Sequence, residues 1–212
     1  MKLFSPKVLL LDLGGVLFDV DYQATISAFK SLGYPDFDVF YSKARQSNLF
    51  DLFEKGQLEE VQFYEELIQM QPNLSIAHIK NAWNAMLIGI PPHRLGFLDK
   101  LAAKYPLILL SNTNEIHVDE LGKRNLADHG YDPLQKFFSS IYFSCRIGMR
   151  KPDQEVFEYV LQNESMLRED ILFIDDSPQH VEGAKQCGIP AFLLNVEEGM
   201  KIEQVLPDII AL

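Results

Sequence analysis

Hydrophobic positions along this chain follow two rhythms. Short apolar runs of the kind a parallel sheet buries on both faces occur at Val8-Leu9-Leu10-Leu11, Leu107-Ile108-Leu109-Leu110, Ile141-Tyr142-Phe143-Ser144, Ile171-Leu172-Phe173-Ile174 and Ala191-Phe192-Leu193-Leu194. Helical patterns lie between them, near Arg94 to Lys104, from Asp153 to Gln162, and from Gln179 to Gln186 ahead of Gly188. Strands alternating with helices predict right-handed crossovers, hence an α/β fold with a Rossmann-like parallel sheet covered on both faces. From about Gln23 to Met86 the rhythm is purely helical, with Ile26/Phe29, Phe50/Phe53 and Val61/Tyr64/Ile68 at helical spacing and breaks at Gly33-Tyr34-Pro35, Gly56 and Pro72. That block predicts a small α-helical bundle inserted over residues 19–90, with 1–18 and 91–212 forming the α/β core. Phe37, Phe40, Phe50, Phe53 and Trp83 are read as the core of that bundle, and Arg45 as its candidate for substrate contact.

Three of the apolar runs end on polar groups. Asp12 follows the first and is trailed by Gly14 and Gly15, Ser111 and Asn112 close the second, and Asp175 and Asp176 close the fourth. Parallel strands point the same way, so these side chains converge on the sheet edge where open α/β folds bind ligands. Carboxylates at the ends of buried strands cost too much desolvation to stand alone. A hard divalent cation, Mg²⁺ above all, would relieve their repulsion, and Lys151 in the loop Gly148-Met149-Arg150-Lys151-Pro152-Asp153 could add a second positive charge. Helix capping is the competing explanation for each acid and for Ser111 and Asn112. Asn114 and His117 are read either as capping and exposed residues or as supports of the site. His78, His93, His129 and His180 show no ligand or triad spacing and are read as structural or exposed.

Composition narrows the picture further. The 212 residues are 47% hydrophobic and 23% charged, which suits a globular chain with a full core. A net charge of -11 argues against nucleic acid or an anionic membrane as partner. It leaves room for a small anion, because Arg146, Arg150 and Lys151 form a local basic patch. Cys145 and Cys187 fall outside metal or disulfide-scaffold spacings, and no apolar run reaches membrane-spanning length, so a cytoplasmic protein with free thiols is expected. Either a monomer or a homodimer is compatible with the sequence.

The strings DLGGVL around Asp12, LLLSNTN around Ser111-Asn112, GMRKPD around Lys151 and FIDDS around Asp175-Asp176 resemble, in order and spacing, the four motifs of the haloacid dehalogenase-like phosphatase superfamily. The helical block resembles that family's C1-type cap. DLGGVL, LSNTNEIH and GMRKPD together look most like the bacterial branch containing the sugar-1-phosphate (alpha-D-glucose-1-phosphate) phosphatases. The resemblance implies a Mg²⁺-dependent phosphomonoester hydrolase acting on a small phosphorylated metabolite. Asp12 would be the nucleophile and form an aspartyl phosphate. Asp12, the Gly14 carbonyl and Asp176 would hold the metal, with Asp175 holding a metal-bound water. Ser111, the Asn112 N–H and Lys151 would grip the phosphoryl oxygens.

One position departs from the pattern. Most family phosphatases carry a second Asp two residues after the nucleophile, to protonate the leaving alcohol, and this chain has Gly14 there. Loss of a positioned acid costs about 10²- to 10⁴-fold, and least for good leaving groups, which favours anomeric sugar phosphates, acyl phosphates and aryl phosphates over simple alkyl phosphates. Asp19 and Asp21 are candidates for a substitute acid, or else a solvated turn and a helix cap. Two alternatives stand beside the phosphatase. One is a dehalogenase, which also uses an aspartate nucleophile. The other is a phosphate-binding or regulatory protein with little turnover.

Overall fold

The computed structural model describes residues 5–41 and 48–210, so Arg45 lies outside the described residues. The chain opens with β1 (Val8–Leu11), turns through Gly14 and Gly15, and forms the short β2 (Asp19–Val20). A helical stretch follows as α1 (Tyr22–Ser31), α2 (Phe37–Tyr41), α3 (Asn48–Glu54), α4 (Glu60–Met70) and α5 (Ile76–Asn84). It returns through β3 (Leu87–Gly89), which pairs antiparallel with β2. Beyond it the order is α6 (Pro92–Ala102), β4 (Leu107–Ser111), α7 (Glu115–His129), α8 (Pro133–Phe137), β5 (Ser140–Phe143), α9 (Ser144–Ile147) and α10 (Gln154–Glu164). The chain ends with β6 (Ile171–Asp175), α11 (Pro178–Gln186), β7 (Ala191–Leu193) and α12 (Ile202–Ile209).

The main sheet runs β5-β4-β1-β6-β7 with all neighbours parallel. From central β1 the chain steps outward to β4 and β5, then crosses to the other side of β1 for β6 and β7. The strand order therefore reverses beside β1, which opens a crevice at the carboxyl ends of β1 and β6. Alternation along the strands feeds two cores. Leu9, Leu11, Leu107, Leu109, Leu172 and Ile174 face one layer, while Val8, Leu10, Ile108, Leu110, Ile171 and Phe173 face the other. Each fully buried side chain of this kind contributes roughly 1.5–3 kcal/mol. The expected double-sided burial is thus what holds β1, β4 and β6 in the middle of the sheet.

Helices α1 to α5 pack around an aromatic core of Phe29, Phe37, Phe50, Phe53, Phe63 and Trp83, joined by Ile116 of α7. Phe29 stacks on Phe37 with centroids 3.9 Å apart, and Phe50 stacks on Trp83 at 5.3 Å. The side chain of Phe40 lies outside the described set. One detail differs from expectation. Ser144 starts a helix instead of ending a strand, because its hydroxyl accepts from the Thr113 N–H (2.9 Å) and donates to the Thr113 carbonyl (3.0 Å). The C-terminal segment forms α12, with Ile202, Leu206 and Ile209 buried on one face. No helix among the described residues is long and apolar enough to cross a membrane.

Candidate active site

Asp12 emerges from β1 with its N–H donated to the Ile174 carbonyl of β6 (2.9 Å), so the backbone itself draws this residue against the Asp175 end of the neighbouring strand. Lys151 fills the gap between them. Its side chain is 0% exposed and spends its ammonium on Asp12 Oδ1 (2.6 Å), Asp175 Oδ2 (2.6 Å) and the Leu110 carbonyl (2.7 Å). An ammonium has three protons to donate, and the site uses them all. Asn112 fixes the loop that delivers this lysine: its amide donates to the Lys151 carbonyl (2.8 Å) and its carbonyl accepts the Lys151 N–H (3.0 Å).

Asp176, just past β6, stands over the first turn. Gly15 has φ +77°, and a β-carbon there would lie 2.4 Å from Asp176 Oδ2, so only glycine allows the DLGG turn and the acid to coexist. Oxygens of Asp12, Asp175 and Asp176 come within 4.8 Å of one another. Three carboxylates against one ammonium leave an excess of negative charge on a set of hard oxygen donors, which is the chemistry that suits Mg²⁺.

The electrostatics follow from this crowding. Burial, only partly offset by Lys151 and reinforced by Asp175 and Asp176, pushes the Asp12 carboxyl up to about 7. Burial would raise Asp175 too, but Lys151 and His180 hold it well below the usual carboxylate range. For Lys151 burial works against the charge, and Asp12 with Asp175 outweighs it and lifts the ammonium above its ordinary value.

His180, expected to be structural or exposed, lies at the site. Its Nδ1 is 3.0 and 3.1 Å from the two Asp175 oxygens. An ionised carboxylate only accepts, so Nδ1 carries the proton. Burial pushes this imidazole down. No spacing in the sequence signals the pair, because His180 reaches Asp175 from the first turn of α11.

The remaining candidates sort as follows. Ser111 is buried at the end of β4 and lines the same cavity as Asp12, Gly14, Asn112 and Asp176. Asp21 caps α1, accepting from the Gln23 and Ala24 N–H groups at 2.9 and 3.2 Å. Asp19 pairs with Arg94 at 2.9 Å; that buried guanidinium also takes the Leu17 carbonyl (2.8 Å) and Glu203 (3.0 Å). Both acids thus secure the entry to the helical layer, and the cavity is lined by Val20, Tyr22 and Gln23 of this segment instead. The basic patch is divided among separate partners: Arg146 pairs with Glu115 (2.9 Å), and Arg150 with Asp51 (2.6 Å) and Glu54 (3.0 Å) of α3. Asn114 caps α7 and sits in a buried triangle with Trp83 and His117. Trp83 Nε1 donates to its carbonyl (3.2 Å), and its amide donates to His117 Nδ1 (3.2 Å). His117 Nε2 then donates to the Trp83 carbonyl (3.1 Å), and burial, which pushes this imidazole down to about 4, keeps it neutral.

The cavity over these groups measures about 730 Å³. Strand ends and the Arg150 loop form one wall, and Tyr22, Gln23, Ile26, Tyr41 and Glu54 of the helical layer form the other. It is large enough for a metabolite-sized molecule, with Asp12 and Asp176 at the strand ends and Glu54 and Arg150 among its other charged lining groups.

Residues 6–188 match the family of haloacid dehalogenase-like hydrolases. The chain is 27% identical over 187 residues, 88% of its own length and 90% of the relative's, to a D-ribitol-5-phosphate phosphatase of Bacteroides thetaiotaomicron. A HAD-family enzyme from the same organism, solved as an aspartate-to-alanine variant in complex with magnesium and inorganic phosphate, superposes with a TM-score of 0.83 at 31% identity, over 89% of this chain and 93% of that one. A HAD-like family hydrolase of Porphyromonas gingivalis gives 0.81 at 30% identity, over 89% and 90% of the two chains.

Proposed function

The chain belongs to the haloacid dehalogenase-like hydrolases, and from that premise we propose that it is a Mg²⁺-dependent phosphatase of a small phosphorylated metabolite with Asp12 as nucleophile. The observation that carries this reading is the buried Lys151 bridging Asp12 and Asp175 beneath a cavity that Asp12 and Asp176 line.

In this reading Asp12, the Gly14 carbonyl and Asp176 would hold the metal, with Asp175 holding a metal-bound water. Bound there, Mg²⁺ supplies the positive charge that lets a carboxylate approach a phosphoryl dianion. Ser111 and the Asn112 N–H bind the phosphoryl oxygens as their charge is redistributed, while Lys151, whose three protons go to Asp12, Asp175 and the Leu110 carbonyl, fixes the Asp12 carboxylate through Oδ1 instead of reaching the phosphate itself. Asp12 displaces the leaving alcohol to give an aspartyl phosphate, which water hydrolyses. Residues 19–90 act as the cap that closes over the site and selects the leaving group. Carbon–halogen cleavage has no use for three clustered acids, so the phosphatase is preferred over the dehalogenase.

Gly14 favours a leaving group that departs easily, and a sugar 1-phosphate is the substrate class that follows from it. A polyol phosphate is the second reading, favoured by the relative that is a D-ribitol-5-phosphate phosphatase. Phosphate release from p-nitrophenyl phosphate, sugar 1-phosphates and polyol phosphates tests both. Release is expected to need Mg²⁺, to stop in EDTA and to be abolished in Asp12→Asn. Activity that survives either treatment contradicts the proposal.

A further inference from the structure

Gly14 raises a question that the fold answers locally. A β-carbon on Gly14 would stand 3.6 Å from Val20 Cγ2 and 4.0 Å from the Tyr22 hydroxyl, both ordinary contacts. The space that a side chain at position 14 would enter is therefore bounded by a phenol. Tyr22 is the first residue of α1 and is placed by its neighbour Asp21, whose carboxylate holds the N–H groups of Gln23 and Ala24. Its ring packs near that of Tyr41, with centroids 6.2 Å apart.

The two walls of the cavity decide what Tyr22 faces. Phosphoryl-binding groups lie on the wall of strand ends, so the rest of a bound ester extends toward the helical wall. Tyr22 stands on that wall next to Gly14 and within the same cavity as Asp12 and Asp176. Asp19 and Asp21, the carboxylates nearest in sequence, are engaged with Arg94 and the α1 backbone.

We propose that the Tyr22 hydroxyl donates a hydrogen bond to the leaving-group oxygen, supplying from the cap the contact that position 14 lacks. This assignment rests on the phosphatase reading above. As the Asp12 oxygen bonds to phosphorus, the electron pair of the P–O bond passes to the leaving oxygen. Tyr22 stabilises that charge while keeping its own proton, and the alkoxide takes its proton from water. A phenol offers one donor and two acceptor lone pairs, so Tyr22 can accept from a neighbour while donating to substrate.

The test compares Tyr22→Phe with the wild type, both with Mg²⁺, on p-nitrophenyl phosphate and on a primary alkyl phosphate such as glycerol 3-phosphate. A nitrophenolate carries its own charge and an alkoxide does not. The loss of kcat/KM on the alkyl ester should therefore exceed the loss on the aryl ester by about tenfold to a hundredfold. A plot of log kcat against leaving-group acidity should also steepen, which a merely structural role would not cause. Ring-fluorinated tyrosine at position 22 keeps the shape and strengthens the donor, and should flatten the same plot; this arm decides the matter if the Phe variant folds poorly. Equal losses on both esters, or a slope indifferent to fluorination, would overturn the role of Tyr22 while leaving the phosphatase intact. Failure of the wild type to release phosphate from either ester would overturn the phosphatase reading, and Tyr22 with it.

Discussion

Asp12→Asn should abolish turnover and yet make the metal-free protein more stable. In the folded chain burial and two neighbouring carboxylates lift Asp12 from 3.8 to about 7, and Lys151 offsets only part of that. A carboxyl whose folded value lies above its unfolded one favours folding when protonated. Its contribution is therefore complete below 3.8, declines as pH rises, and is lost above about 7. Each pH unit between the two values is worth about 1.4 kcal/mol, so ionised Asp12 opposes folding by about 4 kcal/mol at pH 8. The variant's amide does not ionise, keeps nearly the same shape, and leaves Lys151 its bond to Asp175 (2.6 Å). For a chain of this size the gain corresponds to a rise in Tm of about 8–16 °C. Thermal melts in EDTA at pH 8 and pH 4.5 measure it, and at the lower pH the difference should shrink to about 1 kcal/mol. If the variant is no more stable than the wild type at pH 8, or differs from it equally at both pH values, the electrostatic account of the site is refuted.

Three further outcomes follow from the same geometry. Gly15→Ala puts a β-carbon 2.4 Å from Asp176 Oδ2 at φ +77° and should weaken Mg²⁺ binding at least about tenfold and cost about 1–2 kcal/mol, whereas Gly14→Ala meets only ordinary contacts and should bind normally; titration calorimetry and urea unfolding tell them apart, and similar behaviour of the two variants would contradict the placement of Asp176. Mg²⁺ binding competes with the proton on Asp12, so the association constant should rise about tenfold per pH unit up to about 7 and then level off, and an affinity flat from about pH 5.5 to 8 would refute the coupling. Arg94→Met takes the donor from the Leu17 carbonyl, Asp19 and Glu203 and should cost about 3 kcal/mol in urea unfolding, with Arg94→Lys recovering only part because a single ammonium cannot reproduce the fork; full recovery by lysine would count against that geometry.

The parts of the site that lie at strand ends were legible in the sequence, and for a physical reason. A central parallel strand is buried on both faces, so β1, β4 and β6 read as unbroken apolar runs, and any acid closing such a run, like Asp12 or Asp175, stands out. Lys151 was legible only through its motif, since nothing in its own neighbourhood foretells a fully buried ammonium. His180 and Tyr22 were not legible. One reaches Asp175 from a helix that follows the strand, and the other approaches Gly14 because the helical layer folds back over the sheet, and neither contact leaves a periodic trace. Asp19 and Asp21 carried two possible roles from the sequence; Asp21 turned to the first N–H groups of α1, whereas Asp19 found its partner in Arg94 of α6, a contact far along the chain. The alternation from Phe18 to Tyr22 shows an extended segment but not its pairing with β3, because two or three residues are too few to set a period.

The claim at the centre of this account is that Asp12 takes the phosphoryl group. Mixing the wild-type enzyme with Mg²⁺ and p-nitrophenyl phosphate, quenching in acid during turnover and reducing with borohydride converts an aspartyl phosphate to homoserine, which peptide mass spectrometry locates. The account predicts homoserine at position 12 and nowhere else, and none in EDTA. Phosphate release that proceeds with no reducible adduct, or with the adduct at another residue, would contradict it.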